Sequence, residues 1–360
     1  MNENTYKTSL KKICEGILFG IEIETCYHNV NKSSNQKPKT ENYKYKQSLI
    51  DNKKYLFDCF SKKSNTYKNP MINWIYCHPH SKDCEEYKNW VVTSDPTVFC
   101  KNSNLADEIY SIQKQQISPD IPEIEFYPVE IVSPILNMST TETEAGEGFL
   151  VISLIYFGWL IDNNLVYTVN NTQGLHVNLS HTSINMVDYS QKFIKILYIL
   201  EPILLNMIPE DRRYMIDDDE KLRYKPFDKL DLQSLSGKNP IVKIHTNRIE
   251  LRLFDGTMIY DEIYYTTMLS ILLLGASIVI SHDYLNTLLN ITDINKLFEV
   301  LKTLIVDTNT INFAINKYNK HKLENSPHLN NTETQQTIFP KFKFNEKYNT
   351  FLQPALNTHC

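Results

Sequence analysis

The sequence is poor in glycine. Its 360 residues include only 9, and none of them forms part of a Walker-type loop or a G-x-G-x-x-G pattern. Loops of these two kinds use closely spaced glycines to bring backbone amides against phosphate groups. Their absence excludes P-loop and Rossmann-type nucleotide binding, so a nucleotide would have to be held by a sheet itself.

Long apolar segments are also missing. The longest run, residues 268–280, is shorter than the roughly 20 residues that cross a bilayer, so a buried helix is expected there. The first residues contain no apolar signal core and the 7 cysteines have no regular spacing, which indicates a reducing, cytoplasmic location. A net charge of -5 gives no general attraction to nucleic acids or anionic membranes, and neither is expected as a partner.

Apolar periodicity places strands and helices in separate groups. Because strands come in pairs and helices in blocks, we predict an α+β fold with a mainly antiparallel sheet and helices packed on one face. Helices are predicted at residues 147–161 and 189–208, and two more within 259–304. Strands are predicted around Trp74 and Trp90, at 123–136, as a pair at 166–169 and 174–181, and at 241–254.

Two polar segments lie outside this pattern. Residues 29–70 are rich in Lys, Asn, Ser and Tyr, and are predicted to be an insertion or a mobile loop. Residues 316–360 are predicted to be a polar C-terminal tail. The remainder is then a single domain over residues 1–315, with the insertion inside it.

Residues 19–25, F-G-I-E-I-E-T, contain the first chemical signal. On a strand, successive side chains point to opposite faces, so Ile21 and Ile23 share one face while Glu22 and Glu24 share the other. Such a strand can be covered on both faces only if the carboxylates are neutralised, and a divalent cation would do this. The alternative is an edge strand with both carboxylates in solvent.

Three further strands repeat this arrangement of an apolar face and a polar face. In G-L-H-V-N-L-S, the residues His176, Asn178 and Ser180 lie together opposite three apolar side chains. Glu130 stands between Val129 and Ile131 in the strand before it. In R-I-E-L-R-L-F, apolar positions alternate with Arg248, Glu250, Arg252 and Phe254.

These polar faces together would form one site. The oxygen and imidazole groups suit Mg²⁺ or Mn²⁺ better than a soft metal, while Arg248 and Arg252 have donors suited to phosphate. Carboxylates facing metals and arginines could hold a nucleoside triphosphate without a glycine-rich loop. Taken singly, His176 could be a core histidine and Glu250 with Arg252 an ordinary ion pair. The predicted metal ligands are Glu22, Glu24, Glu130, His176 and Glu250.

In this order, F-G-I-E-I-E-T, V-V-T-S-D-P-T-V, P-V-E-I-V-S-P-I-L, Q-G-L-H-V-N-L-S and R-I-E-L-R-L-F-D-G-T resemble the putative amidoligase family of glutamine synthetase-like carboxylate-amine ligases. The resemblance covers residues 17–280. It implies a curved sheet of the glutamine synthetase catalytic type that holds ATP and Mg²⁺. It also implies a catalytic domain that phosphorylates a carboxylate of an amino acid, peptide or protein and lets an amine displace phosphate, giving an amide or isopeptide bond.

The resemblance also assigns roles to individual residues. Asp95 matches the position of a base that deprotonates the attacking amine, and Arg252 the position of an arginine that contacts the phosphates. Arg212 and Arg213 would meet a substrate carboxylate or a phosphate. Asn178 stands where many members have a second histidine. Pro96 and Thr97 replace the usual Gly-Ser after the aspartate.

Other interpretations remain open at this point. The same sheet could belong to a catalytically silent nucleotide-binding module, or the same site could hydrolyse an amide. Cys77, His78, His80 and Cys84 have ligand types that zinc prefers, but without a second matching pair a plain loop is the favoured interpretation.

Overall fold

The computed structural model describes residues 2–28, 74–76, 90–93, 126–138, 166–168, 173–214, 216–231, 235, 241–257 and 260–324. These residues belong to one compact unit, Met1–Asn325. The predicted insertion at 29–70, the predicted helix at 147–161 and most of the predicted tail lie outside the described residues.

Nine described strands form one sheet in the order β2-β3-β4-β1-β7-β9-β8, and β5 and β6 also pair with β1. All of the pairings are antiparallel except β2 with β3. The strands are β1 (Ile17–His28), β2 (Trp74–Tyr76), β3 (Trp90–Thr93), β4 (Phe126–Val132), β5 (Leu136–Asn137), β6 (Val166–Thr168), β7 (Gly174–His181), β8 (Val242–Ile244) and β9 (Ile249–Asp255).

The first described α-helix precedes the sheet in sequence, the next two lie between β7 and β8, and four follow β9. Three short 3₁₀ helices lie between the third helix and β8, at Asp218–Glu220, Leu222–Tyr224 and Phe227–Lys229. The α-helices are α1 (Glu3–Cys14), α2 (Met186–Asn206), α3 (Glu210–Arg213), α4 (Tyr260–Val279), α5 (His282–Leu288), α6 (Ile294–Leu304) and α7 (Thr308–Glu324).

Strand β1 lies at the centre of the sheet because each of its edges pairs with two other strands. Glu22 is in register with Val132 of β4 on one side and with His176 of β7 on the other. On the edge that β7 occupies, β6 pairs with the last residues of β1. On the edge that β4 occupies, β5 pairs with residues near the start of β1. The prediction that β6 and β7 pair with each other was wrong, because both strands pair with the same edge of β1, one after the other.

The apolar face of β1 forms the core of the protein. Ile17, Phe19, Ile21 and Ile23 are all almost completely buried. Helix α4 packs behind β1 and β7, and α2 packs on α4 and β9. Burial of each such side chain contributes roughly 1.5 to 3 kcal/mol, which fixes the register of the strand and turns the glutamates to the opposite face.

Strand β9 departs from regular alternation. Leu175 of β7 pairs with Phe254, but Val177, two residues farther along, pairs with Leu251, three residues back. The additional residue in β9 forms a bulge opposite His176. As a result Phe254 lies in register with the core residue Leu175 and is buried. The prediction that Phe254 shares the polar face was wrong.

The N-terminal helix α1 was not predicted, because its sequence is polar and its apolar positions are few. Leu10 and Cys14 pack closely on α4, where a side chain at Gly275 would come within 3 Å of both. Tyr6 donates a hydrogen bond from its hydroxyl to the backbone carbonyl of Leu304. These contacts fasten α1 to the helical layer.

Helix α4 is long and apolar enough over Asp261–Val279 to cross a membrane by length and composition alone, but 67% of that window is buried inside the protein. It is the central helix of the core, as predicted for residues 268–280. Helix α2 also agrees with prediction, whereas the single strand predicted at 241–254 is a hairpin of β8 and β9. The predicted second helix of 259–304 consists of two, α5 and α6, and α7 crosses the boundary predicted at residue 315. The α+β class with a mainly antiparallel sheet is confirmed.

Candidate active site

The face of the sheet opposite the helices brings together acidic and imidazole groups from four strands. Glu22 and Glu24 lie on β1, and register places Glu130 of β4 directly beside Glu24. His176 of β7 is beside Glu22, and Glu250 of β9 is two positions farther along, paired with Asn178. The five predicted metal ligands therefore share one face of the sheet.

His176 is almost completely buried and lies among three carboxylates. Its Nδ1 atom is 3.3 Å from a carboxylate oxygen of Glu22 and 3.8 Å from one of Glu250. Its Nε2 atom is 3.6 Å from a carboxylate oxygen of Glu24. The imidazole thus occupies the middle of the acidic face.

Glu22 takes part in a chain of hydrogen bonds that continues through Asn178 to Arg248. Asn178 donates its Nδ2 proton to Glu22 at 2.8 Å and accepts a hydrogen bond from Nε of Arg248 at 2.9 Å. Burial alone would raise the pKa of Glu22, but the hydrogen bonds from His176 and Asn178 and the charges of His176 and Arg248 hold it below its usual value. Asn178 therefore links the guanidinium of Arg248 to the candidate metal ligand Glu22.

Glu24 is oriented from the neighbouring strand. The backbone amide of Gly174 donates a hydrogen bond to its carboxylate at 2.6 Å. This contact fixes one carboxylate oxygen, while the other faces His176. The tight fit requires a residue without a side chain at 174, since a Cβ there would lie 2.8 Å from Nη2 of Arg212 and 2.9 Å from Nε2 of His176.

Glu250 is held by two partners. Nη1 of Arg252 lies 3.4 Å from its carboxylate, which is the ion pair that the sequence left open as an alternative to a role at the metal site. Nε2 of His245 lies 2.8 Å from the other carboxylate oxygen. His245 precedes the turn of the β8–β9 hairpin, where its amide donates to the carbonyl of Arg248. In the hairpin, Lys243 is in register with Glu250, and His245, two residues after Lys243, lies on the same face. Once the hairpin is recognised, alternation along β8 would therefore have identified His245.

Arg212 and Arg213 of α3 have different surroundings. The guanidinium of Arg212 reaches the sheet, where it donates to the backbone carbonyls of Gln173, Arg252 and Leu253. Arg213 instead donates to the side-chain oxygen of Asn206. Arg212 therefore anchors α3 to the strand ends beside the site. That either arginine binds a substrate remains a prediction.

A groove runs along the polar face next to Glu22. Its empty volume, including the opening to solvent, is about 530 Å³. Gly20 forms part of its floor and contributes no side chain, which keeps the groove open beside the carboxylate. The lining is largely apolar, with a few polar groups. The lining includes Leu18, Pro134, Ile135, Asn178, Ser180 and Arg248.

Several sequence predictions lie outside the described residues. They concern Asp95, the predicted base, with Pro96 and Thr97 after it, and the cysteine and histidine residues 77–84 considered for zinc. Strand β3 ends at Thr93, whose register partner on β4 is Glu130. The chain therefore leaves the sheet beside the acidic cluster two residues before Asp95.

The donor set suits a hard divalent cation. Glu22, Glu130 and His176 each present a ligand atom, and these atoms lie within 4.8 Å of one another. Four carboxylates and one imidazole with partial burial match the oxygen-rich coordination of Mg²⁺ or Mn²⁺. Without a cation, several carboxylates so close together would repel one another. The residues present therefore fit such an ion.

Replacement of Gly174 by alanine should disturb this cluster. The added Cβ would press on two groups that have little room, because Arg212 is bound to strand carbonyls and His176 lies among carboxylates. We expect Gly174→Ala to lower the free energy of unfolding by about 1 to 3 kcal/mol. Thermal and urea unfolding measure the stability, and Mn²⁺ titration by electron paramagnetic resonance should show weaker binding.

Gly20→Ala provides the matched control, because a Cβ at Gly20 would make ordinary contacts, the nearest at 3.5 Å from Oγ of Ser133. Its stability and Mn²⁺ affinity should stay close to those of the unmodified protein. If both alanine variants behave alike, the close packing of His176 and Arg212 around Gly174 does not matter for the cluster.

Comparison with known proteins gives a family and distant structural similarities. No curated protein sequence matches the chain. The bifunctional glutathione synthetase of Pasteurella multocida has a crystal structure that aligns with a TM-score of 0.37 and 8% identity, over 89% of this chain and 49% of that one. The chain thus spans about half the length of that enzyme. A family model described as "Putative amidoligase enzyme" matches residues 15–218, more than half of the chain. The protein therefore belongs to this amidoligase family.

Proposed function

We propose that the protein is an ATP- and Mg²⁺-dependent carboxylate-amine ligase. One observation carries the proposal: five candidate metal ligands from four strands share one face of the sheet, and two arginines lie at its border. This arrangement can neutralise a polyphosphate without a glycine-rich loop. Membership of the amidoligase family supports an amide-forming reaction in particular.

The acidic face would hold Mg²⁺ or Mn²⁺ through Glu22, Glu24, Glu130, His176 and Glu250. When bound, such ions neutralise phosphate charge and orient the transferred group. His245 and Arg252 keep Glu250 directed toward His176, and Asn178 does the same for Glu22. The ligands are thus oriented by a surrounding set of hydrogen bonds before any substrate arrives.

The groove next to Glu22 is the proposed place of the ATP nucleoside. Its apolar lining suits a base, and Asn178 and Ser180 supply polar groups. Arg248 at its border and Arg252 beside Glu250 would contact the phosphates, because a guanidinium matches phosphate geometry. Arg212 and Arg213 of α3 are proposed to bind the substrate carboxylate or a phosphate, because α3 lies beside the strand ends of the site, where Arg212 contacts Gln173, Arg252 and Leu253.

The reaction would proceed in two balanced steps. A carboxylate oxygen of the substrate attacks the γ-phosphorus of ATP, and the bond to ADP breaks, giving an acyl phosphate. The nitrogen of an amine then attacks the acyl carbon, Asp95 accepts a proton, and the bond to phosphate breaks. An amide or isopeptide bond results, and one carboxylate oxygen leaves in the inorganic phosphate.

The same proposal covers the fold type, partners and location. The sheet would be a curved one of the glutamine synthetase catalytic type. Substrates would be an amino acid, a peptide or a protein with a free carboxylate, together with an amine, and no nucleic acid or membrane takes part. The enzyme would act in the reducing cytoplasm.

An oxygen-transfer experiment tests the mechanism. The protein is incubated with ATP, Mg²⁺, an amine pool and amino acids or peptides whose carboxylates contain ¹⁸O. We expect ADP formation that requires both substrates, a new amide mass, and ¹⁸O in the released phosphate. Arg252→Gln should lower this turnover by about 100-fold or more, as loss of a transition-state charge contact does. Asp95→Asn should lower the amide-forming step.

Other outcomes would point elsewhere. ATP binding without ADP formation for any pool would favour the catalytically silent module. Release of ¹⁸O in AMP would replace acyl phosphate by acyl adenylate chemistry. Cleavage of supplied amides without any use of ATP would favour the hydrolase. Full activity in both Arg252→Gln and Asp95→Asn would contradict the residue assignment.

A further inference from the structure

A second, larger groove lies on the helical layer. It is formed by α2, the 3₁₀ segments Leu222–Tyr224 and Phe227–Lys229, and the end of α5, and we call it the α2 groove. Its empty volume, including the opening to solvent, is about 1330 Å³. None of its lining residues belongs to the candidate active site. The lining that matters here consists of Lys195, Tyr198, Arg223, Lys225, Phe227 and Asn290.

Lys195 is the most unusual member of this lining. It is only 5% exposed, yet within the described part of the chain it forms no ion pair. Its ammonium donates one hydrogen bond to the side-chain oxygen of Asn286 at 2.7 Å and lies 4.9 Å from the centre of the Phe227 ring. An ammonium has three donors, and a buried charge without a counter-ion is costly. Burial accordingly lowers the pKa of Lys195.

Two more cations border the same space. The guanidinium of Arg223 packs over Tyr198 at 5.5 Å and donates one hydrogen bond to the carbonyl of Ile291 at 3.1 Å, which leaves further donors available. Lys225 lies over the exposed ring of Tyr224. Among the described residues that line the groove, Asp228 has the single carboxylate. The groove therefore has an excess of positive charge.

The positive charge of Lys195 also affects the pKa of a neighbouring histidine, His282. The pKa of His282, at the start of α5, is lowered by burial and by the positive charges of Lys195 and Lys192, against the opposing effect of Asp283. Lys192 is itself buried, and its ammonium donates to the carbonyls of Ile278 and Ile280 at the end of α4. Two buried lysines on one face of α2 thus add positive charge beside the groove.

We propose that the α2 groove binds a small organic anion, with Lys195 and Arg223 binding its carboxylate or phosphate and the aromatic rings contacting its body. The groove has room for a small molecule, and its lining combines a few convergent charges with aromatic surface. An oxyanion would supply the missing partner of Lys195 and use the remaining donors of Arg223. This site is independent of the proposed ligase function.

Isothermal titration calorimetry tests the proposal with two probes, inorganic pyrophosphate and citrate, at constant ionic strength with EDTA present. The chelator removes divalent ions, so that metal-dependent binding at the acidic face is suppressed. We expect one of the probes to bind with a dissociation constant of about 1 mM or tighter. Preference for pyrophosphate indicates a phosphate ligand, and preference for citrate a carboxylate ligand.

Three variants locate the binding site. Lys195→Gln, which can still hydrogen-bond to Asn286, and Asn290→Asp, a change at an exposed position that adds a negative charge, should each weaken binding at least tenfold. Arg252→Gln, at the candidate active site, should bind the probe as the unmodified protein does. Circular dichroism shows whether each variant is folded, and Asn290→Asp keeps the test valid if Lys195→Gln does not fold.

The proposal is overturned by any of three results. Neither probe binds the unmodified protein in the millimolar range. Asn290→Asp and a folded Lys195→Gln bind as tightly as the unmodified protein. Binding is lost in Arg252→Gln instead, which would assign the anion to the acidic face of the sheet.

Discussion

Lys317→Met is expected to lower the free energy of unfolding by about 3 kcal/mol. Lys317 of α7 is buried, and its ammonium lies 2.8 Å from Asp255 at the end of β9 and 3.6 Å from Glu262 in the first turn of α4. Methionine would fill the space but leave two carboxylates without a cation. Because those carboxylates remain 16% and 19% exposed, the loss should lie at the low end of the range for buried pairs. Urea denaturation measures it.

Lys302→Met is the matched control. Lys302 pairs with Glu299 at the same distance of 2.8 Å, but both side chains are largely exposed. Exposed pairs contribute at most about 1 kcal/mol, so this variant should hardly change stability. Combining Lys317→Met with Asp255→Asn and Glu262→Gln should recover much of the loss, since no buried charge is then left unpaired. Equal effects of Lys317→Met and Lys302→Met would contradict the argument.

The pH dependence of Lys317 has a definite sign. Burial alone would lower the pKa of its ammonium, but the charges and hydrogen bonds of Asp255 and Glu262 outweigh burial and raise it above its usual value. A raised pKa in the folded state means that the stabilisation is fully present below about pH 10.5. It is lost as the pH rises toward and through the higher folded-state pKa. Lys317→Met should lack this alkaline part of the stability profile.

The sequence predicted which side chains share the polar face of β1 and β7, because one physical rule governs their placement. Ile21 and Ile23 must be buried, and a strand with period two then turns Glu22 and Glu24 to the other face. The same rule places His176 opposite the core residues of β7. Sequence alone could not give the register between strands, which brings Glu130 beside Glu24 and His176 beside Glu22.

Other features of the site depend on local irregularity that alternation does not capture. The bulge in β9 opposite His176 moves Phe254 to the core. His245 reaches Glu250 only because a tight hairpin returns the chain to the same face. The resemblance assigned Arg212 to a substrate carboxylate or a phosphate, but its guanidinium donates to the backbone carbonyls of Gln173 and Arg252. These tertiary contacts cannot be predicted from a local sequence pattern. Irregularity of this kind concentrates at functional sites.

Glu22→Gln is expected to separate metal binding from folding. The amide keeps the size of Glu22 and can still accept the hydrogen bond from Asn178, which in turn keeps its contact with Arg248. It removes one negative charge from a crowded acidic face. Without metal, Glu22→Gln should be somewhat less stable than the unmodified protein, because the charges and hydrogen bonds that lower the pKa of Glu22 stabilise its ionised form in the folded state. Mn²⁺ affinity should fall at least about tenfold and turnover at least about 100-fold.

The measurement is thermal unfolding with and without Mg²⁺, together with Mn²⁺ titration and the ¹⁸O assay. Binding of an ion to the folded state alone raises the unfolding temperature, so the unmodified protein should show a Mg²⁺-dependent increase that Glu22→Gln largely loses. Glu299→Gln, at an exposed carboxylate, should keep the increase. A Glu22→Gln variant that is less stable without metal but binds Mn²⁺ normally would show that the carboxylate serves the fold through Asn178 rather than holding an ion.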